Sequence, residues 1–221
     1  MLKKEYDAKN ESYYAHERHE MLKYIPQNVK YILDVGCSSG AFGSSIREKF
    51  NCEVWGIEPD KKSSEKARLV LNKVFNTFFD ENIDLLNQKF DCIFFNDVLE
   101  HLVSPFDALQ LCKKYLSPNG IIICSIPNLR YFDAMYHILI QKDFNYVDAG
   151  IFDKTHLRFF TKKSSERMFI EAGYKVDKIE GINSIKEINI KGYKNFNILN
   201  FIFFKYISDM EYLQFAIVAH L

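Results

Sequence analysis

Two carboxylates frame the first chemistry this chain could perform. Asp34 opens the stretch Asp34-Val35-Gly36-Cys37-Ser38-Ser39-Gly40, and Glu58 follows 24 residues later, each at the end of a short apolar run. A glycine-bearing loop after a buried strand is where an open α/β sheet holds a ligand. A dinucleotide loop of the G-x-G-x-x-G kind would have glycine at 36, 38 and 41, whereas this chain has Gly36, Ser38 and Ala41. The missing middle glycine disfavours a close pyrophosphate, and a carboxylate at position 34 would repel one. The same carboxylate suits a positively charged ligand. Glu58 can accept hydrogen bonds from both hydroxyls of a ribose, so the pair points to an adenosine-type ligand. The plainer alternative is a tight strand-to-helix turn with Asp34 as its cap.

Histidine supplies the second set of candidates, because its pKa of about 6.5 suits it to moving a proton near neutrality. Of six histidines, His101 in Leu99-Glu100-His101-Leu102 follows the fourth apolar run and is the first candidate for a general base. His156, close to Arg158, is the second. Each has a structural alternative: His101 as a packed or capping side chain, His156 as a tie for its loop. His16 and His19 have helical spacing for two ligands with Glu20 nearby, but no third ligand is evident, and no metal site is expected. Asn128, Tyr131 and Arg158 are candidate acceptor contacts. Cys37 lies near a helix start, where a thiol can be acidified, although an inert loop residue is the better reading.

These residues need a frame. Tyr31–Val35, Glu53–Ile57, Val74–Phe79, Phe90–Phe95 and Ile121–Ser125 read as strands, separated by helices over Ala41–Phe50, from Pro59-Asp60 onward, and Ser104–Leu116. Strands alternating with helices imply a mostly parallel sheet with helices on both faces. Ser117-Pro118-Asn119-Gly120 reads as a turn. The rhythm breaks after Pro127: residues 128–160 read as an insertion with a helix near Tyr131–Ile140. A helix over Lys162–Ala172, closed by Gly173, and strands at Tyr174–Glu180 and Tyr212–Ala219 complete the chain. An amphipathic segment spans 11–24.

The bulk numbers fit one globular domain. The 221 residues carry 29 basic and 29 acidic side chains, so no basic excess suggests a nucleic-acid partner. Five scattered cysteines without a C-x-x-C pair suggest neither disulfides nor zinc and fit a reducing cytoplasm. No signal peptide is expected at the N-terminus. The longest apolar run, Ile198–Ile207, is broken by Asn200 and Lys205, so it reads as a packed helix or an interfacial contact rather than a transmembrane segment.

Residues 30–125 resemble class I S-adenosylmethionine-dependent methyltransferases. The loop beginning at Asp34, the Glu58-Pro59 pair, Phe90–Ile93 with Asp97-Val98-Leu99-Glu100-His101-Leu102, and Leu116–Gly120 are similar to the ubiquinone-biosynthesis-like branch. Tyr146–Gly150 and Thr155-His156-Leu157-Arg158-Phe159-Phe160-Thr161 resemble a subset associated with surface-glycan biosynthesis. The resemblance implies a seven-stranded sheet with the last strand antiparallel, and S-adenosyl-L-methionine as cofactor. It implies cofactor contacts from Tyr14, Arg18, Asp34, Gly36, Cys37, Ser38, Gly40, Phe42, Glu58, Pro59, Asp80, Asn96, Asp97 and Val98. Arg18 would pair with the cofactor carboxylate, Asp80 would face the adenine, and Asn96 and Asp97 would meet the methionyl portion. Segment 11–24 and insertion 128–160 would cover the site from opposite sides. The expected activity is methylation of a hydroxyl on a small molecule, most simply a sugar or glycan precursor. An amino sugar, a quinone-like phenol, or a binding module that no longer catalyses are the alternatives. A monomer or homodimer would suffice.

Overall fold

The computed structural model describes residues 18–188 and 190–221. Seven strands form one sheet: β1 (Tyr31–Val35), β2 (Glu53–Ile57), β3 (Lys73–Phe75), β4 (Phe90–Asn96), β5 (Leu116–Pro127), β6 (Lys175–Ser184) and β7 (Tyr212–His220). Their order is β3-β2-β1-β4-β5-β7-β6. The pairs from β3 to β5 are parallel, and β7 is antiparallel to both of its neighbours, β5 and β6. This is the sheet expected from the sequence. The strand order reverses between β1 and β4, which opens a crevice at their carboxyl ends.

Alternation along the central strands fills both faces. In β4, Phe90, Ile93 and Phe95 enter one core with Leu33 and Trp55, whereas Cys92 and Phe94 enter the other with Ile32 and Val54. A strand apolar on both sides is what a covered parallel sheet requires. The covers are α1 (Ala41–Lys49), α2 (Lys61–Ala67), α3 (Pro105–Tyr115) and α5 (Lys162–Glu171), with α4 (Phe132–Tyr136) in the insertion. Ser104 caps α3 through Asp107 N, and Thr161 and Ser164 form a reciprocal capping box at α5. Gly173, at φ +87°, ends α5 as its position in the sequence suggests. Two further helices, α6 (Ile185–Ile188) and α7 (Ile190–Ile202), connect β6 to β7.

Several boundaries differ from the sequence reading. β3 stops at Phe75 rather than Phe79, because the Asn76 amide turns back to the carbonyls of Glu58 and Pro59 (2.9 and 3.0 Å). Residues 117–120 belong to β5 as a bulge: pairing jumps from Phe90–Leu116 to Cys92–Ile121. Gly120 is needed there, since a Cβ would lie 2.8 Å from the Phe90 carbonyl oxygen. The insertion helix is α-helical only over Phe132–Tyr136 and continues as a π-turn at His137–Gln141. Of segment 11–24, the described part is a 3₁₀ turn over His19–Tyr24, preceded by Arg18 at φ +48°.

Candidate active site

The loop after β1 is built from backbone constraints. Gly36 sits at φ +73°, and a Cβ there would come within 2.6 Å of Val98 Cγ2. Gly40 sits at φ +83° against Val70 and Ala67 and starts α1. Only glycine meets both demands without strain. The amides of Gly36 and Cys37 both donate to the Ile57 carbonyl (2.8 and 3.1 Å), which locks this loop onto β2. Ser38, where a dinucleotide loop would have glycine, adopts φ +51° and donates its backbone N–H to Glu58 Oε2 at 2.8 Å. The other Glu58 oxygen accepts from the Asp60 amide at 2.8 Å.

Both acids are therefore placed inside. Asp34 is 2% exposed and Glu58 7%. Burial pushes Asp34 up to about 7, and the Glu58 charge adds to the shift. Burial also raises Glu58, against the two backbone N–H groups that favour its ionised form. No basic side chain among the described residues pairs with either carboxylate.

The end of β4 supplies the opposite wall. Both amide atoms of Asn96 are buried and without a hydrogen-bond partner, a costly state for a polar group unless a ligand uses it. Asp97, at φ +54°, accepts from Ser125 Oγ (2.9 Å) and Gln214 Nε2 (2.7 Å), and pairs with the Arg18 guanidinium. Arg18 also meets Glu20 at 3.0 Å and Gln214 at 3.3 Å. Arg18 is thus committed to Asp97 and Glu20, where a cofactor carboxylate had been expected. Val98 packs over Gly36.

Other expected contacts fall in different places. Phe42 meets Phe94 edge-on at 5.0 Å within the core, and Cys37 is buried with its thiol pushed far up by desolvation. Pro59 is exposed beside the Glu58 turn. Asp80 is exposed and accepts from the Asn82 amide at 2.9 Å, so it caps its own turn. Tyr14 and His16 lie outside the described residues. Asn76, Ser125 and Gln214, which brace Glu58 and Asp97, carried no motif and were missed by the sequence reading.

Just past β4, the 3₁₀ turn Leu99–His101 meets the insertion. The Glu100 carbonyl accepts the amides of Leu157 and Arg158 (2.8 and 3.1 Å), which staples loop 153–158 to the turn. His101 Nδ1 lies 3.1 Å from the Thr155 carbonyl and 3.2 Å from Thr155 Oγ1. A carbonyl only accepts, so in this contact Nδ1 is the donor. Asp153, itself buried, accepts from both the amide and the hydroxyl of Thr155 (2.8 and 2.7 Å). His156 Nδ1 faces the Ile151 carbonyl at 3.0 Å, and its Nε2 is 3.9 Å from Glu100 Oε1. The two imidazoles meet edge to face at 4.7 Å.

Glu100 is fully buried, and neither carboxylate oxygen has a hydrogen-bond partner. Burial, then the charge of Asp97, holds its carboxyl well above the usual range. The ligand atoms of Glu100, His101 and His156 lie within 4.8 Å of one another, so this cluster can hold either a shared proton or a divalent cation. The sequence reading had found no such cluster, because Glu100 and His156 are far apart along the chain.

Asn128, Tyr131 and Arg158, the expected acceptor contacts, each make contacts within the fold. Asn128 is fully buried and its amide donates to the carbonyls of Asp209 and Tyr212 (2.8 and 2.9 Å), while its oxygen accepts from Arg130 N (3.0 Å). Every hydrogen-bonding group of that amide is engaged within the fold. Tyr131 packs in a small core with Ala134, Ile151, Ile185 and Phe196. Arg158 is exposed and donates to the carbonyls of Leu157 and Val103.

A family model described as a methyltransferase domain matches residues 6–179. The chain belongs to this family of methyltransferases. A ubiquinone biosynthesis O-methyltransferase of Histophilus somni is 28% identical over 138 residues, covering 56% of this chain and 57% of that protein. One of Coxiella burnetii is 27% identical over 168 residues, covering 69% and 68%. The methyltransferase thus spans a little over half to two thirds of the length of these relatives. Among solved structures, a SAM-dependent methyltransferase of Archaeoglobus fulgidus superposes with a TM-score of 0.67 at 19% identity, covering 90% of each chain. One of Aquifex aeolicus gives 0.61 at 15% identity, covering 99% of this chain and 97% of that one. These likenesses show the same fold.

The methyltransferase's crevice fits the cofactor of its family. S-adenosylmethionine bears an ammonium, a sulfonium and a ribose. The crevice offers a buried acid without a basic partner, a second acid with its oxygens held by backbone amides, and an unpartnered amide, around a loop where glycine keeps the backbone close.

Proposed function

We propose that this methyltransferase transfers the methyl group of S-adenosylmethionine to a hydroxyl oxygen of a small polar acceptor. The observation that carries the choice of oxygen is the cluster of Glu100, His101 and His156 beside the end of β4. A hydroxyl must lose its proton as it attacks, and a lone pair on His101 Nε2 can take it. The name of the relatives, O-methyltransferase, supports the same atom.

On this reading Asp34 meets the cofactor's positive charge, Glu58 holds the ribose hydroxyls, and Asn96 meets the methionyl end. When bound, the cofactor supplies an activated methyl group. The protein's work is to align the acceptor with it and to exclude water. Thr155 holds His101 in the required tautomer, and the His156 ring stands beside it, 3.9 Å from Glu100. Insertion 128–160 forms the acceptor side and acts as its lid, with a sugar or glycan-precursor hydroxyl as the acceptor suggested by the Thr155–Thr161 resemblance. The relatives' name favours a phenol-type hydroxyl as the second reading. The convergence of Glu100, His101 and His156 would also allow a divalent cation to acidify the acceptor.

Calorimetry with S-adenosylmethionine, followed by mass spectrometry of sugar and phenol panels, tests the proposal. Binding is expected, with one methyl added to oxygen. Absence of binding at millimolar cofactor would overturn it. Loss of turnover on treatment with a chelator, restored by Mg²⁺, would select the cation over the histidine base.

A further inference from the structure

α7 carries apolar side chains both where it packs and where it is exposed, with Lys194, Asn195 and Asn197 exposed among them. Phe196 is buried against Phe132 of α4, with ring centroids 5.6 Å apart. On the outer side Ile198, Phe201 and Ile202 are more than half exposed, as are Phe203, Phe204 and Tyr206 in the turn that follows, with Phe201 at 82% and Phe204 at 94%. The π-turn continuing from α4 adds exposed Leu139 and Ile140. Exposure on this scale marks an interaction surface.

The charges indicate what covers it. Between Glu187 and Asp209 the chain carries Lys191, Lys194 and Lys205 and no acid. Asp209 is itself paired with Arg130 at 2.7 Å. Were a second copy to cover this surface about a two-fold axis, the patch would meet itself, bringing lysine towards lysine without a carboxylate from this stretch. An anionic lipid surface accepts both the lysines and the aromatic side chains. The 13-residue α7 is about 20 Å long, short of the roughly 30 Å hydrocarbon core, so it would lie in the interface. No helix among the described residues is long and apolar enough to cross a membrane.

We infer that α7 and the following turn, with the π-turn after α4, dock the protein on the surface of an anionic lipid bilayer. The inference is independent of the methyl acceptor. It places the insertion, and with it the acceptor side of the site, at the lipid surface.

Co-sedimentation of the full chain with phosphatidylcholine vesicles, with and without phosphatidylglycerol, tests it. The chain should sediment with the phosphatidylglycerol vesicles and be released as salt is raised. The double variant Phe201→Ser, Phe204→Ser, altered only at exposed side chains, should lose about tenfold or more of this partitioning. Its thermal midpoint and cofactor affinity should stay at the parent's values. Lys194→Glu with Lys205→Glu should weaken binding to the anionic vesicles alone. Failure of the parent to sediment, or equal partitioning of the double serine variant, would overturn the inference. So would a concentration-dependent dimer, without vesicle binding, that the serine variant dissolves. Cofactor binding in the same preparation separates such a failure from a failure of the methyltransferase reading.

Discussion

The two halves of the crevice are assembled in opposite ways. The Asp34–Glu58 half is held by backbone: glycine dihedrals, amides donated to the Ile57 carbonyl, and two N–H groups on one carboxylate. The His101 half is held by a loop some fifty residues away, through Thr155, His156 and the Glu100 carbonyl. The first is fixed by local chain geometry and suits a cofactor of constant shape. The second depends on how its loop folds back.

If the halves are separable, His101→Ala should lower kcat by roughly 10²–10⁴ with little change in cofactor affinity. Stopped turnover assays beside calorimetry would show the split. An equal loss of cofactor binding would merge the two halves.

The cofactor half should show its own pH dependence. Asp34 keeps its proton up to about pH 7 in the folded, ligand-free chain, against an ordinary value of 3.8. Its contribution to stability is therefore full below about pH 4 and is lost as the pH rises through about 7, because the native state binds the extra proton. A cationic cofactor favours the ionised acid, so its binding should release that proton. Affinity should then weaken by about tenfold for each pH unit below 7. A dissociation constant that stays flat across this window would remove Asp34 from the cofactor's charged end.

The smallest effect is expected outside both halves. Asn128→Ala removes a buried amide that joins β5 to the turn before β7, at a cost of about 1–3 kcal/mol in stability. Denaturant unfolding should record that cost while the KM for acceptor is unchanged. A raised KM at constant stability would return Asn128 to the acceptor site.

The same contrast explains what was legible in the sequence. Asp34, Gly36, Gly40 and Glu58 were readable because their tasks are set by neighbours in the chain and by one adjacent strand. The seven-stranded sheet was readable because apolar runs and turns alternate in a regular rhythm. The convergence of His156 on Glu100 was not, since it depends on how a long insertion folds back, and no local period encodes that. For Asn128 and Tyr131 the sequence left the choice open, because a residue after a strand can face the crevice or brace the fold beneath it. The pairing of Arg18 with Asp97 was likewise illegible, since the two lie 79 positions apart.

Gln214 gives the strand order a temporal meaning. It lies on β7, accepts from Asn183 of β6 at 2.7 Å, and donates to Asp97 beside the crevice. β7 is inserted between β5 and β6, so the edge of β5 stays open until the synthesis of residues 212–220. A nascent chain ending at β6 would have the glycine loop and both buried acids while lacking the side chain that steadies Asp97. The glycine loop and both acids thus come from the first two strands of the sheet, while the setting of Asp97 depends on the seventh.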